Sequence, residues 1–198
     1  MSVTPSPSGA HSLLEVDIAL LTSMLDKAVL EGSGVEAVAV VRELREAAIA
    51  MREGKPGYDR ERLSARIAQL DLDGLTFVAR AFTLWFHLIN AAEEHHRVRL
   101  LRRYDREHPA NDSLAKAFDT MIAEGLSADD LLAQLQRLYV MPVLTAHPTE
   151  ARRRTLRDHV ADVRNMLDAL QAPSGPRARE DLLERLQLVI TVLYGTEE

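Results

Sequence analysis

The residues best suited to chemistry lie together in one short run: residues 143–154 read Val-Leu-Thr-Ala-His-Pro-Thr-Glu-Ala-Arg-Arg-Arg. A neutral imidazole such as His147 can accept a proton near neutral pH. Arg153 and Arg157 are four residues apart, so on a helix they share a face, with Arg154 beside it. Guanidinium groups near an imidazole favour a phosphate or carboxylate. Pro148 pushes His147 toward an extended backbone. Proline is also well tolerated in the first turn of a helix, where free N–H groups and the helix dipole attract anions. The spacing therefore describes a His between a strand end and a helix start, in surroundings friendly to anions. Taken alone, it also fits a loop His with solvent-facing arginines.

The elements that would hold this run are nearly all helical. Ala, Leu, Arg and Glu dominate, and these favour helix. Leu14, Ile18, Leu21 and Leu25 recur at helical spacing over 11–31, and Gly32-Ser33-Gly34 interrupts the pattern. A second helix is predicted over 35–52, stopped by Gly54, Pro56 and Gly57, and a third over 59–70. A long helix over about 75–105 holds Phe82, Trp85, Phe86 and Ile89. Its first part is apolar on most sides and is expected to be buried, and its Arg-rich end is expected in solvent. Further helices are predicted over 112–124 and from a capping-box-like Ser127–Asp130 start to about 139. Residues 140–146 form a short apolar run broken by Pro142, the one convincing strand candidate. Helical spacing resumes from about 149 through Leu156, Val160, Val163 and Leu167. A turn follows over 172–176, and a last helix runs from Arg177. A lone strand leaves its backbone groups unpaired, and the last helix carries Leu186, Val189, Ile190, Val192, Leu193 and Tyr194 with no evident partner. Both features are expected to be completed by sequence beyond this chain, or by strand pairing in a homodimer.

Composition bounds the function classes. The chain has 198 residues, a formal net charge of −6, 46% hydrophobic and 27% charged residues, and no cysteine. Such usage is globular. Without cysteine there are no disulfides, thiol nucleophiles or thiolate metal ligands. The acidic balance argues against nucleic acid as the main partner. The Ser/Pro-rich start lacks the basic and apolar regions of a signal peptide. No uninterrupted apolar run approaches the roughly 18–20 residues of a membrane span. A cytoplasmic protein is expected.

The run Thr145-Ala-His-Pro-Thr-Glu150, followed by Arg153 and Arg154, resembles the first signature of the phosphoenolpyruvate carboxylases. Residues 78–94, containing Asn90-Ala-Ala-Glu93, are similar to that family's buried helix. Gln134–Tyr139 resembles the helix before the signature. Residues 188–198, ending Tyr194-Gly-Thr-Glu-Glu, resemble a segment reading Trp-x-Thr-Asp-Glu in many members, from which Tyr194 and Glu197 depart conservatively. The resemblance implies an amino-terminal fragment that is mainly α: a helical part plus the first strand of what would be a (β/α)8-type barrel. The implied organisation is a disordered tail over 1–11, a helical region over 12–139, and the barrel strand, motif and following helices over 140–198. It also implies the carbon–carbon lyase reaction that carboxylates phosphoenolpyruvate with bicarbonate to oxaloacetate and phosphate, feeding the tricarboxylic acid cycle. His147 takes the role of catalytic base that receives the carboxyphosphate proton, and Arg153 and Arg154 that of an anion or effector site. The implied magnesium or manganese ion has no ligand in this chain, and the implied whole enzyme is a homotetramer. Its remaining parts, including a missing carboxyl-terminal barrel, lie further along a longer chain, so this fragment alone is expected to be inactive. A helical interaction or regulatory module that kept the motif without catalysis is the alternative.

Three other groups of residues read as structural. Glu93 and His96 have the Glu-x-x-His spacing of di-iron bundles but no second copy, so they read as the polar end of a long helix. Arg97, Arg99, Arg102, Arg103 and Arg106 are diluted by acidic neighbours and lack interleaved aromatics, which argues against a nucleic-acid surface. His87 among aromatic residues reads as a hydrogen-bonded core residue, and Trp85 and Phe82 as packing.

Overall fold

A computed structural model describes residues 8–107, 113–143 and 154–196, with side chains from 13–103, 113–143 and 154–196. The chain is mainly α. Its helices are α1 (Ser8–Arg52), α2 (Arg60–Ile67), α3 (Leu72–Glu107), α4 (Leu114–Ala123), α5 (Ala128–Arg137), α6 (Arg154–Leu170) and α7 (Pro176–Thr196). Helix α1 already begins at Ser8, inside the stretch expected as a tail. Among the described residues there is no strand. Val140–Val143, the start of the expected strand, are exposed and neither helical nor extended into a ladder. A strand needs a neighbour for its N–H and C=O groups, and no other strand is present among the described residues. The rest of that segment lies outside them.

By its contacts the chain divides into two units, Met1–His96 with Arg153–Glu198, and Arg97–Arg152. In the first unit, α1 is two helical arms joined at Gly34, whose φ of 88° and ψ of 178° break the helix. That backbone region is essentially closed to L side chains, so glycine permits the bend. Gly32 is needed for a different reason. A Cβ there would come within 3.0 Å of the Tyr194 ring, whose hydroxyl meets Ser33 Oγ at 2.7 Å. The Gly-Ser-Gly run thus bends α1 and seats α7 at one place.

The core is a helix bundle. Leu21, Leu25, Val29 and Val41 of α1 pack with Leu84 and Leu88 of α3, Val163 and Leu167 of α6, and Leu186, Ile190 and Leu193 of α7. Each such large side chain contributes about 1.5–3 kcal/mol by burial. Helix α7 therefore finds partners for its apolar face within this chain, contrary to expectation. Leu188 and Val192 lie on its other side and stay exposed. Helix α3 also differs from its prediction. Among its described residues the stripe Ala81, Leu84, Leu88, Ala91, Ala92 and His95 is buried, Phe77, Val78, Phe82 and Trp85 are partly buried against the core, and Leu72 and Phe86 are exposed. By length and composition Leu72–Arg103 would suffice to cross a membrane, but its stripe lies in the bundle core.

A buried ion cluster ties the two arms of α1 together. The Arg45 guanidinium grips Asp26 with two bonds, Nη1 to Oδ1 at 3.0 Å and Nη2 to Oδ2 at 3.2 Å. Arg42 Nε adds a third at 2.7 Å. Arg45 also lies over the Trp85 ring at 5.9 Å, and the indole N–H of Trp85 donates to Thr22 Oγ1.

In the second unit no described side chain is buried. Helix α4 is capped by Ser113. Helix α5 starts with the expected capping box, in which the Ser127 hydroxyl accepts from the Asp130 N–H while the Asp130 carboxylate accepts from the Ser127 N–H.

Candidate functional site

Of the signature residues, His147 and Arg153 lie outside the described residues. Arg154 is the first residue of α6. Its side chain is 86% exposed, and its Nε stands 3.8 Å from Asp158 Oδ2, one turn along the helix. Arg157 is exposed too. Such an open i,i+4 pair is weak, so Arg154 is held loosely and can turn to an anion. The amino end of a helix at this point favours the same charge. Among the described residues no three His, Asp or Glu side chains gather into a possible metal site.

Leu156 and Val160 of the first half of α6 are partly buried against the core, and its second half is held more deeply. Val163, Met166 and Leu167 are its buried residues. Beside that apolar stripe, Arg164, Asp168 and Gln171 stand at i, i+4 and i+7, and all three reach α3. Arg164 forms an ion pair with Glu94. Asp168 Oδ1 is 3.8 Å from His95 Nε2, and the Gln171 amide nitrogen bonds that same ring nitrogen. His95 Nδ1 faces Asp17 Oδ2 of α1 at 3.3 Å. An amide nitrogen donates, so Nε2 is the acceptor and the neutral ring carries its proton on Nδ1, toward the carboxylate. His95, read from sequence as part of a polar helix end, is a buried junction of three helices. The signal was present, because 84, 88, 91 and 95 continue the buried α3 stripe at helical spacing.

A second concave surface lies between α1 and α2, a cavity of about 920 Å³ lined by Arg42, Glu46, Tyr58, Arg62 and Arg66 among others. Its guanidinium groups are already engaged. Arg42 bonds Asp26, Arg62 donates to the Gly57 carbonyl, and Arg66 forms a fork on Glu43 at 2.9 Å. That fork holds the Glu43 carboxyl below its ordinary range. The Arg66 fork clamps α2 to α1, and the groups are not set out for a free anion.

The described geometry defines a helical segment whose core supports a helix with exposed arginines, Arg154 and Arg157, in its first turn. Comparison with known proteins supplies the lineage. A family model for phosphoenolpyruvate carboxylase matches residues 14–198. The chain is 38% identical over 191 residues to a phosphoenolpyruvate carboxylase of Thermus thermophilus, covering 94% of this chain and 21% of that protein. It is 37% identical to one from a Thermus species over 96% of its length, and 32% identical to one from Roseiflexus castenholzii over 100%. The chain belongs to the phosphoenolpyruvate carboxylase family. It spans only 21–22% of the length of these curated relatives.

Proposed function

We propose that this chain is the amino-terminal part of a working phosphoenolpyruvate carboxylase, in which it supplies the signature His147. The observation that carries this reading is the family match over residues 14–198, which includes the whole signature. In the proposed reaction bicarbonate attacks the phosphorus of phosphoenolpyruvate, giving carboxyphosphate and the pyruvate enolate. His147 then accepts the carboxyphosphate proton as phosphate leaves, and carbon dioxide adds to the enolate to form oxaloacetate. A neutral imidazole suits that transfer. Arg153, together with Arg154 at the start of α6, would hold an anion or a phosphorylated effector. The magnesium or manganese ion that this chemistry uses would need ligands beyond the described residues, since no acidic or His cluster occurs among them. The same reading makes the whole enzyme a cytoplasmic homotetramer serving the tricarboxylic acid cycle. It also assigns the remaining catalytic groups to the missing barrel.

The test has two arms. Purified 1–198, given phosphoenolpyruvate, bicarbonate and magnesium in an oxaloacetate assay coupled to malate dehydrogenase, is expected to show no turnover. A full-length enzyme containing this segment is expected to be active and to lose oxaloacetate formation on His147→Asn with its fold intact. Turnover by 1–198 alone would overturn the fragment reading. Near-normal activity of the His147→Asn enzyme would remove His147 from the mechanism. An inactive full-length protein would favour a non-catalytic helical module.

A further inference from the structure

We propose that His95 is a positioning residue: the chain Asp17–His95–Gln171 sets the rotation and register of α6, and with them the direction in which Arg154 points at its start. The argument begins with the burial along α6. Its buried side chains, Val163, Met166 and Leu167, all fall in its second half, and none is buried over residues 154–162. Over the first half only Leu156 and Val160 reach the core, and both are partly buried. A turn of α6 about its axis at the anchored half therefore carries the exposed Arg154 around the axis with it.

Apolar contacts are non-directional, so that stripe alone tolerates some rotation and slip. The polar stripe does not. Arg164, Asp168 and Gln171 meet Glu94 and His95 on successive turns, and turning α6 by one residue position, about 100°, would take all three away from α3. Of the groups in these contacts only His95 is buried. Its side chain is 4% exposed, whereas Glu94 is 57% exposed and the Arg164 pair accordingly weak. His95 is also held from the far side by Asp17 of α1. Its ring therefore cannot turn to follow α6 without losing the part-buried bond to Asp17, which leaves polar groups unpaired.

What α6 positions rests on the carboxylase reading; the positioning itself can be measured without activity. The chain has no cysteine, so paired spin labels can be placed at Thr83→Cys on α3 and Thr155→Cys near the start of α6, both exposed. Pulsed electron resonance on the 198-residue chain is expected to give one narrow distance. His95→Leu keeps bulk but no polar atoms, and is expected to shift or broaden that distance by several ångströms. His95→Gln places an acceptor oxygen where Nε2 was, and is expected to restore the narrow peak. An unchanged distribution in a folded His95→Leu chain would overturn the proposal. So would equal broadening in His95→Gln, which would assign the effect to packing. If His95→Leu fails to fold by near-ultraviolet circular dichroism, Gln171→Leu decides. Gln171 is exposed, and its loss is expected to broaden the distance; no change there would overturn the proposal as well.

Discussion

Asp26 is a carboxylate with almost no access to water, held by one guanidinium that is equally buried and a second that is half exposed. Removing two charges from water costs several kcal/mol per ion, and the pair recovers this only while both members are present. Asp26→Ala would leave Arg45 buried beside Trp85 with no counter-charge. The expected loss is about 3–5 kcal/mol, read as a lower urea midpoint in melts followed by the near-ultraviolet signal of Trp85. The double replacement Asp26→Leu with Arg45→Met removes both charges and is expected to cost far less than Asp26→Ala alone. If Asp26→Ala costs no more than the double replacement, the cluster does not hold the two arms of α1 together. Neither residue stands out in the sequence. Hydropathy alone puts both on the wet side of α1, and only the bend at Gly34 brings 26 against 42 and 45.

Helix α5 shows what local chemistry does without a core. It has ten residues, none buried, and begins with a complete capping box. The Ser127 hydroxyl, and then the Ser127 backbone N–H, hold the Asp130 carboxyl below its ordinary value of 3.8. A carboxylate with a depressed folded value adds stability that is fully present above the ordinary value and is lost as pH falls through the depressed one. Helicity over 128–137 is therefore expected to hold at neutral pH and to decrease below about pH 4 as Asp130 takes up its proton. Ser127→Ala is expected to lower helicity already at pH 7 and to flatten that dependence, as followed by amide chemical shifts. A Ser127→Ala chain with the same acid profile would remove the capping box as the cause. This cap was legible because Ser-x-x-Asp lies within four residues, and the Gly32–Gly34 break and the turn before α7 were legible for the same local reason. The burial of His95 was legible from the 84, 88, 91 and 95 spacing, but its partners were not, since Asp17 and Gln171 are each more than seventy positions away. Of the candidate site, the helix that carries Arg154 was legible from spacing, while the rest of the signature lies outside the described residues. The expected strand was not matched over 140–143, because strand form depends on a pairing neighbour that no local pattern supplies.

At the scale of the whole molecule, the two units differ in what sustains them. The first has a continuous apolar core shared by α1, α3, α6 and α7. The second has two ten-residue helices with no buried side chain, followed by a run in which Leu138, Tyr139, Val140, Met141 and Val143 are all exposed. Isolated helices shorter than about 12–15 residues are marginal in water, and protection from hydrogen exchange tracks the cost of opening each region. The amides of Leu84–Ala92 and of Leu186–Leu193 are expected to exchange only through opening of the core. Those of 114–123 and 128–137 are expected to exchange orders of magnitude faster, even at neutral pH where the Ser127 cap is intact. Hydrogen exchange read by mass spectrometry on the 198-residue chain separates the two groups directly. Equal protection in both would mean that the Arg97–Arg152 unit opens only with the bundle. Fast exchange confined to that unit would show that the helices preceding the signature depend on their caps, while α6 beyond it is anchored by the core.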